Sequence, residues 1–107
     1  MPRLETSIER AVKVKVLDWA KERDIGVLFL KLSIIGMAGF PDRLILWEGG
    51  HVLFVEFKQA KKKPRPLQHY IFSILTGLGF EVQVHDDVTR AVSGITGSIA
   101  GTTALRP

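Results

Sequence analysis

Val52-Leu53-Phe54-Val55 is the segment that most limits how this chain can fold. Successive side chains of a strand point to opposite faces, so four apolar residues in a row need cover above and below. Such a strand belongs in the middle of a sheet, with other elements packed on each side. Just upstream, Leu44 to Trp47 is a second apolar run, and Glu48-Gly49-Gly50-His51 lies between the two. Paired glycines supply the positive φ that a hairpin turn demands, so the two strands are antiparallel neighbours. The central run then ends in Glu56-Phe57-Lys58, and charge is unexpected at that place.

The remaining elements follow from periodicity. Thr6 and Glu9 form a T-x-x-E capping box ahead of Ile8, Ala11, Val12, Val16, Trp19 and Ala20, whose spacing predicts an amphipathic helix to about Arg23. Asp24 and Gly26 break it, and Val27 to Leu32 reads as a strand, followed by a glycine-punctuated loop over Ser33 to Gly39. After Lys58 comes a basic, proline-containing loop, then a helix carrying Leu67, Tyr70, Ile71, Ile74, Leu75 and Leu78, then a strand over Phe80 to Val84. A helix joining two strands implies a crossover with the strands parallel. The order is α-β-β-β-α-β, an α/β fold with a mixed central sheet. Val88 to Val92 is long enough for one helical turn. Gly94 to Pro107 is mostly glycine, serine, threonine and alanine, with Ile95, Ile99 and Leu105 as its apolar residues. The expected division is therefore a folded domain over 1–93 and a loose tail or dimer arm over 94–107.

A chain of 107 residues makes one domain. It has no cysteine, which excludes disulfides, thiolate zinc sites and cysteine nucleophiles and makes the cytoplasm the expected compartment. No run reaches the roughly 20 apolar residues of a membrane span, and membranes are not expected as partners. The net charge of +4 favours polyanions.

The chemistry gathers at two strand ends. Pro41-Asp42 opens the second strand, and Glu56 and Lys58 end the third on one face. Which face Asp42 shares depends on the turn. A two-residue loop at Gly49-Gly50 sets Asp42 opposite Phe57, on the wrong face. A bulged three-residue loop over Gly49 to His51 sets Asp42 opposite Lys58 and beside Glu56, and is the register that the chemistry favours. Two converging carboxylates make a hard-oxygen site suited to Mg²⁺ or Mn²⁺, with the Phe57 carbonyl between the side chains as a further ligand. Lys58 can orient a water or balance charge developing on a phosphate. His51, His69 and His85 have no zinc-motif spacing, and Trp19 and Trp47 suit a core or an interface.

With these residues in place, the chain resembles the PD-(D/E)xK nucleases, and among them the stand-alone VRR-NUC (virus-type replication-repair nuclease) domain. The resemblance rests on Glu5 to Glu9, Lys31, the run from Gly36 into Pro41-Asp42-Arg43, Val52 to Lys58, and Pro66-Leu67-Gln68. Phe40 and Phe57 depart mildly from the family's usual residues. The resemblance implies a restriction-endonuclease-like core that hydrolyses DNA phosphodiesters with Mg²⁺ or Mn²⁺. Asp42 and Glu56 would be metal ligands and Lys58 the water- and phosphate-orienting residue. Glu9 would reach the metal directly or through water, with Glu5 as its alternate, and Gln68 would aim its amide at the scissile phosphate or the water. Lys31, Arg43, Lys61, Lys62, Lys63 and Arg65 would contact DNA, the last four from the loop beside the catalytic lysine. Branched DNA, above all the four-way junction, is the expected substrate, and a homodimer the expected assembly. A flap- or nick-specific nuclease, a non-catalytic DNA-binding module and a plain partner protein are the competing readings.

Overall fold

In the computed structural model, residues 5–59 and 65–103 are described. Among them the elements run α1 (Glu5–Glu22), β1 (Val27–Lys31), β2 (Arg43–Trp47), β3 (His51–Phe57), α2 (Pro66–Gly77), β4 (Glu81–His85) and α3 (Val88–Thr102). The strands form one sheet in the order β1-β2-β3-β4. The first two pairings are antiparallel and β3–β4 is parallel, so the mixed α/β sheet expected from the sequence is what forms. Strand β3 lies inside it. Its Leu53, Val55 and Phe57 enter one core with Ile8, Val12 and Val16 of α1 and Ala91, Ile95 and Ile99 of α3. Its Phe54 enters a second, smaller core with Ile71 and Leu75 of α2. Consecutive apolar residues are thus covered from both sides, as alternation requires.

Two local expectations give way. Helix α1 already includes Glu5, so Thr6 is a helical residue and not the one preceding the helix. More consequential is the stretch after Gly94, which is not a loose tail as far as Thr102. Asp87 starts α3 by accepting a hydrogen bond from the Arg90 backbone N–H at 2.9 Å, satisfying one of the helix's orphan donors. Ala91, Ile95 and Ile99 recur every four residues, so one stripe of the helix faces the core, and all three are fully buried. The small residues around that stripe allow close approach. A Cβ at Gly94 would stand 2.7 Å from Gln83 Oε1. The Gln83 amide in turn donates to Gly94 O at 3.1 Å and Ser98 Oγ at 2.9 Å. At the far end of α3, Trp47 Nε1 donates to Thr102 Oγ1 at 2.8 Å. Leu105 lies outside the described residues, and no helix among those described is long and apolar enough to cross a membrane.

Candidate active site

The hairpin sets the site. Its turn is Glu48-Gly49-Gly50, with φ of 94° at Gly49 and 78° at Gly50, and the ladder starts at Trp47↔His51 and ends at Arg43↔Val55. The three-residue loop therefore both begins and ends one residue earlier than the favoured register supposes, at Glu48 to Gly50 instead of Gly49 to His51. One step past the ladder, Asp42 stands opposite Glu56 and not Lys58. The parity is unchanged, so the acids still share a face, and they are now direct cross-strand neighbours. The Asp42 backbone N–H donates to Glu56 Oε1 at 3.2 Å.

Glu56 is only 5% exposed, because β3 is interior and α2 passes over it. Its other oxygen, Oε2, lies 3.2 Å from Lys58 Nζ and accepts from Gln68 Nε2 at 3.3 Å. Gln68 reaches this point from the first turn of α2, where its Oε1 accepts from the Arg65 backbone N–H at 2.9 Å. Both ends of the amide are thereby assigned. The lysine is held from behind, since its backbone N–H donates to His85 O of β4 at 2.9 Å. Burial holds the Glu56 carboxyl above the ordinary glutamate range, the charge of Asp42 adds to the rise, and Lys58 opposes it.

Arg43 and Glu9 fall elsewhere than the sequence reading places them. Arg43, read as a DNA contact, is 6% exposed and directs its guanidinium inward. Its Nη1 lies 2.9 Å from Asp42 O and 3.2 Å from Asp42 Oδ2. Glu9, read as reaching the metal, has Oε1 3.5 Å from Arg43 Nε, an ion pair too long and too poorly aligned for a hydrogen bond. Among the described residues no three acids or histidines form a metal cluster. The side chain of Glu5 and residues Lys61, Lys62 and Lys63 lie outside the described part. Lys31 is exposed at the end of β1, opposite Arg43, and Arg65 is exposed ahead of α2. The inward turn of Arg43 had a signal in the sequence, since strand alternation puts it on the face opposite Asp42, toward the first helix. The support from His85 had none, because a main-chain carbonyl leaves no mark on side-chain pattern.

A divalent cation fits the donors present. Asp42 and Glu56 are hard carboxylates, and Mg²⁺ is commonly bound by one or two carboxylates while keeping its waters. Three of the roughly four lone-pair positions of the Glu56 carboxylate are taken among the described residues, which leaves one for a cation. Burial is the main reason the Glu56 carboxyl is raised, and the cation would relieve the repulsion from Asp42 that adds to it.

The chain is 37% identical over 82 residues to "Putative nuclease p44" of Acyrthosiphon pisum secondary endosymbiont phage 1, a match spanning 77% of this chain and 82% of that one. A solved structure described as a VRR_NUC domain aligns with a TM-score of 0.66 at 27% identity, over 83% of this chain and 95% of that one. No family model matches.

Proposed function

Because this chain belongs to the VRR-NUC family of nucleases, we propose that it is a divalent-metal-dependent DNA endonuclease that resolves four-way junctions as a symmetric homodimer. The observation that carries the reading is the contact of Glu56 with Asp42, Lys58 and Gln68 at the end of one interior strand. Asp42, Glu56 and the Phe57 carbonyl would hold Mg²⁺ or Mn²⁺. The ion, when bound, supplies polarisation of a phosphate oxygen and a more acidic water. Lys58 places a fixed cation where negative charge grows on the phosphate, in a partly buried setting that strengthens its effect. Gln68 offers an amide donor from a second element, which orients the attacking water or the phosphate. Lys31, Arg65 and the Lys61 to Lys63 loop hold the DNA backbone, a contact that positions the substrate without reading its sequence. The place of action is the cytoplasm, on nucleoid or phage DNA.

Dimerisation rests on different residues from those the sequence suggests. Ile95 and Ile99 are used up in the chain's own core. Helix α2 instead exposes Leu67, Tyr70 and Ile74 at helical spacing, continued by Leu78 just past its end, beside the site that Gln68 enters. A stripe of that kind suits an isologous two-fold contact, and two copies supply the two nicks a junction needs. Cleavage of junction, flap and linear duplex, combined with sedimentation equilibrium at the assay concentration, tests the reading. Paired symmetric nicks in the junction by a dimer are expected. Preference for the flap, or single uncoupled nicks by a monomer, would overturn the junction assignment, and no cleavage of any DNA would overturn the activity.

A further inference from the structure

We propose that Arg43 is a positioning residue that aims the Asp42 carboxylate at the metal, with Glu9 holding Arg43 in place from α1. The inference rests on the nuclease reading above. A guanidinium does not lose its charge, so one buried this deeply must be compensated by polar partners. Arg43 finds them in two directions. A single nitrogen, Nη1, is 2.9 Å from the main-chain oxygen of Asp42 and 3.2 Å from its side-chain Oδ2. Gripping both atoms fixes the Asp42 side chain relative to its own backbone. On the other side, Glu9 approaches Nε from α1, with its side chain 16% exposed and the arginine's 8%.

Charge alone would make this arrangement unfavourable for a metal, because a cation 3.2 Å from a ligand oxygen repels a second cation. Glu9 weakens that objection. Its carboxylate, 3.5 Å from Nε, offsets part of the guanidinium charge, so the pair repels a cation at Asp42 less than Arg43 alone would, and its geometric effect remains. Groups that orient a metal ligand from behind contribute about 10–100-fold in metal affinity or activity when removed. The pair also explains why the first helix carries an acid facing the site although Glu9 does not join Asp42 and Glu56.

The test is direct titration of Mn²⁺ into the protein by calorimetry, without DNA, for wild type, Arg43→Met, Arg43→Lys and the double variant Glu9→Gln/Arg43→Met, with melting curves of each. The double variant removes the pair with no change in net charge, so it separates aim from charge and leaves no buried acid alone. It is expected to melt near wild type and to bind Mn²⁺ about tenfold more weakly. Arg43→Lys should fall between, since an ammonium keeps the charge but lacks the planar fork. DNA binding without metal should not change. Unchanged or tighter Mn²⁺ binding in a folded double variant would overturn the inference and leave the nuclease reading standing. Affinity lost only in proportion to the unfolded fraction would reduce Arg43 to a structural tie and overturn it as well. Failure of wild type to bind Mn²⁺ would overturn the nuclease reading, and the inference with it.

Discussion

On the sheet face covered by α1 and α3, β3 contributes Leu53, Val55 and Phe57, each 0% exposed. On the face covered by α2, the same strand contributes Phe54, 9% exposed, and then Glu56, with Lys58 one residue past its end. The first face is closed by two helices over its length. The second is closed by one, and the short cluster of Phe54, Ile71 and Leu75 stops before the strand does. An interior strand gives Glu56 a rigid, poorly hydrated floor, and the residue, 5% exposed, meets Lys58 and Gln68 through its carboxylate where that strand ends. The first face carries most of the core, and the second carries the charged residues of the proposed site.

Exchanging one residue on each face should separate those contributions. Phe57→Ala removes a fully buried ring packed 6.3 Å from that of Phe29, and should cost about 3–5 kcal/mol in urea unfolding. That is a large part of the roughly 5–15 kcal/mol that holds a domain of this kind together. Its neighbour Glu56→Gln should melt near wild type yet lose cleavage. If Glu56→Gln unfolds the chain while Phe57→Ala spares it, the two faces have been assigned the wrong way round.

Helix α3 sharpens the same contrast. Ile95→Ala and Ile99→Ala should each cost about 2–5 kcal/mol, with Ile71→Ala on the α2 face near the lower end of that range, because a partly open site relaxes or hydrates more easily. A cost near zero at Ile95 would mean that the helix is dispensable.

These residues also show how far the sequence could be read. Periodicity located both helices that flank the middle of the chain and the double-sided strand, because alternation and the 3.6-residue repeat are strong signals. Glu56, Lys58 and Asp42 stood out as a candidate site because charge on an apolar strand has no packing explanation, and the structure brings the three together. Helix α3 was hidden by composition. Gly94, Gly97, Ser98 and Gly101 read as a flexible segment, although Ala91, Ile95 and Ile99 keep helical spacing. What decides its state is tertiary: Ala91, Ile95 and Ile99 complete the core that α1 and β3 line, and packing overrides propensity. The hairpin register was missed for a related reason, since turn chemistry located the glycines but not which residue closed the loop.

A smaller effect concerns pH. The Glu56 carboxyl is held above its ordinary value of 4.5, chiefly by burial and then by Asp42. Protonation removes a metal-binding charge, so Mn²⁺ affinity should decline on acidification with a midpoint above 4.5. The metal-free fold should respond oppositely. The folded state binds the proton more tightly than the unfolded one, so its stability should rise as the pH falls through the folded value. Metal affinity unaltered down to the ordinary glutamate range would contradict the burial of this charge. The mildest change expected is from replacing Lys61, Lys62 and Lys63 together, which should weaken binding to all DNA and flatten its salt dependence through reduced counterion release. An unchanged salt slope would remove that loop from the interface.

The central claim is that the end of β3 is a nuclease active site, and Lys58→Ala tests it most directly. Lys58 is close to Glu56 and bonded through its backbone to β4, so losing its ammonium leaves the strand pairing in place. Single-turnover cleavage of a four-way junction in saturating Mg²⁺ should fall by at least about 10²–10³-fold. Melting and junction binding should remain near wild type. Wild-type cleavage by a folded Lys58→Ala protein would contradict the account.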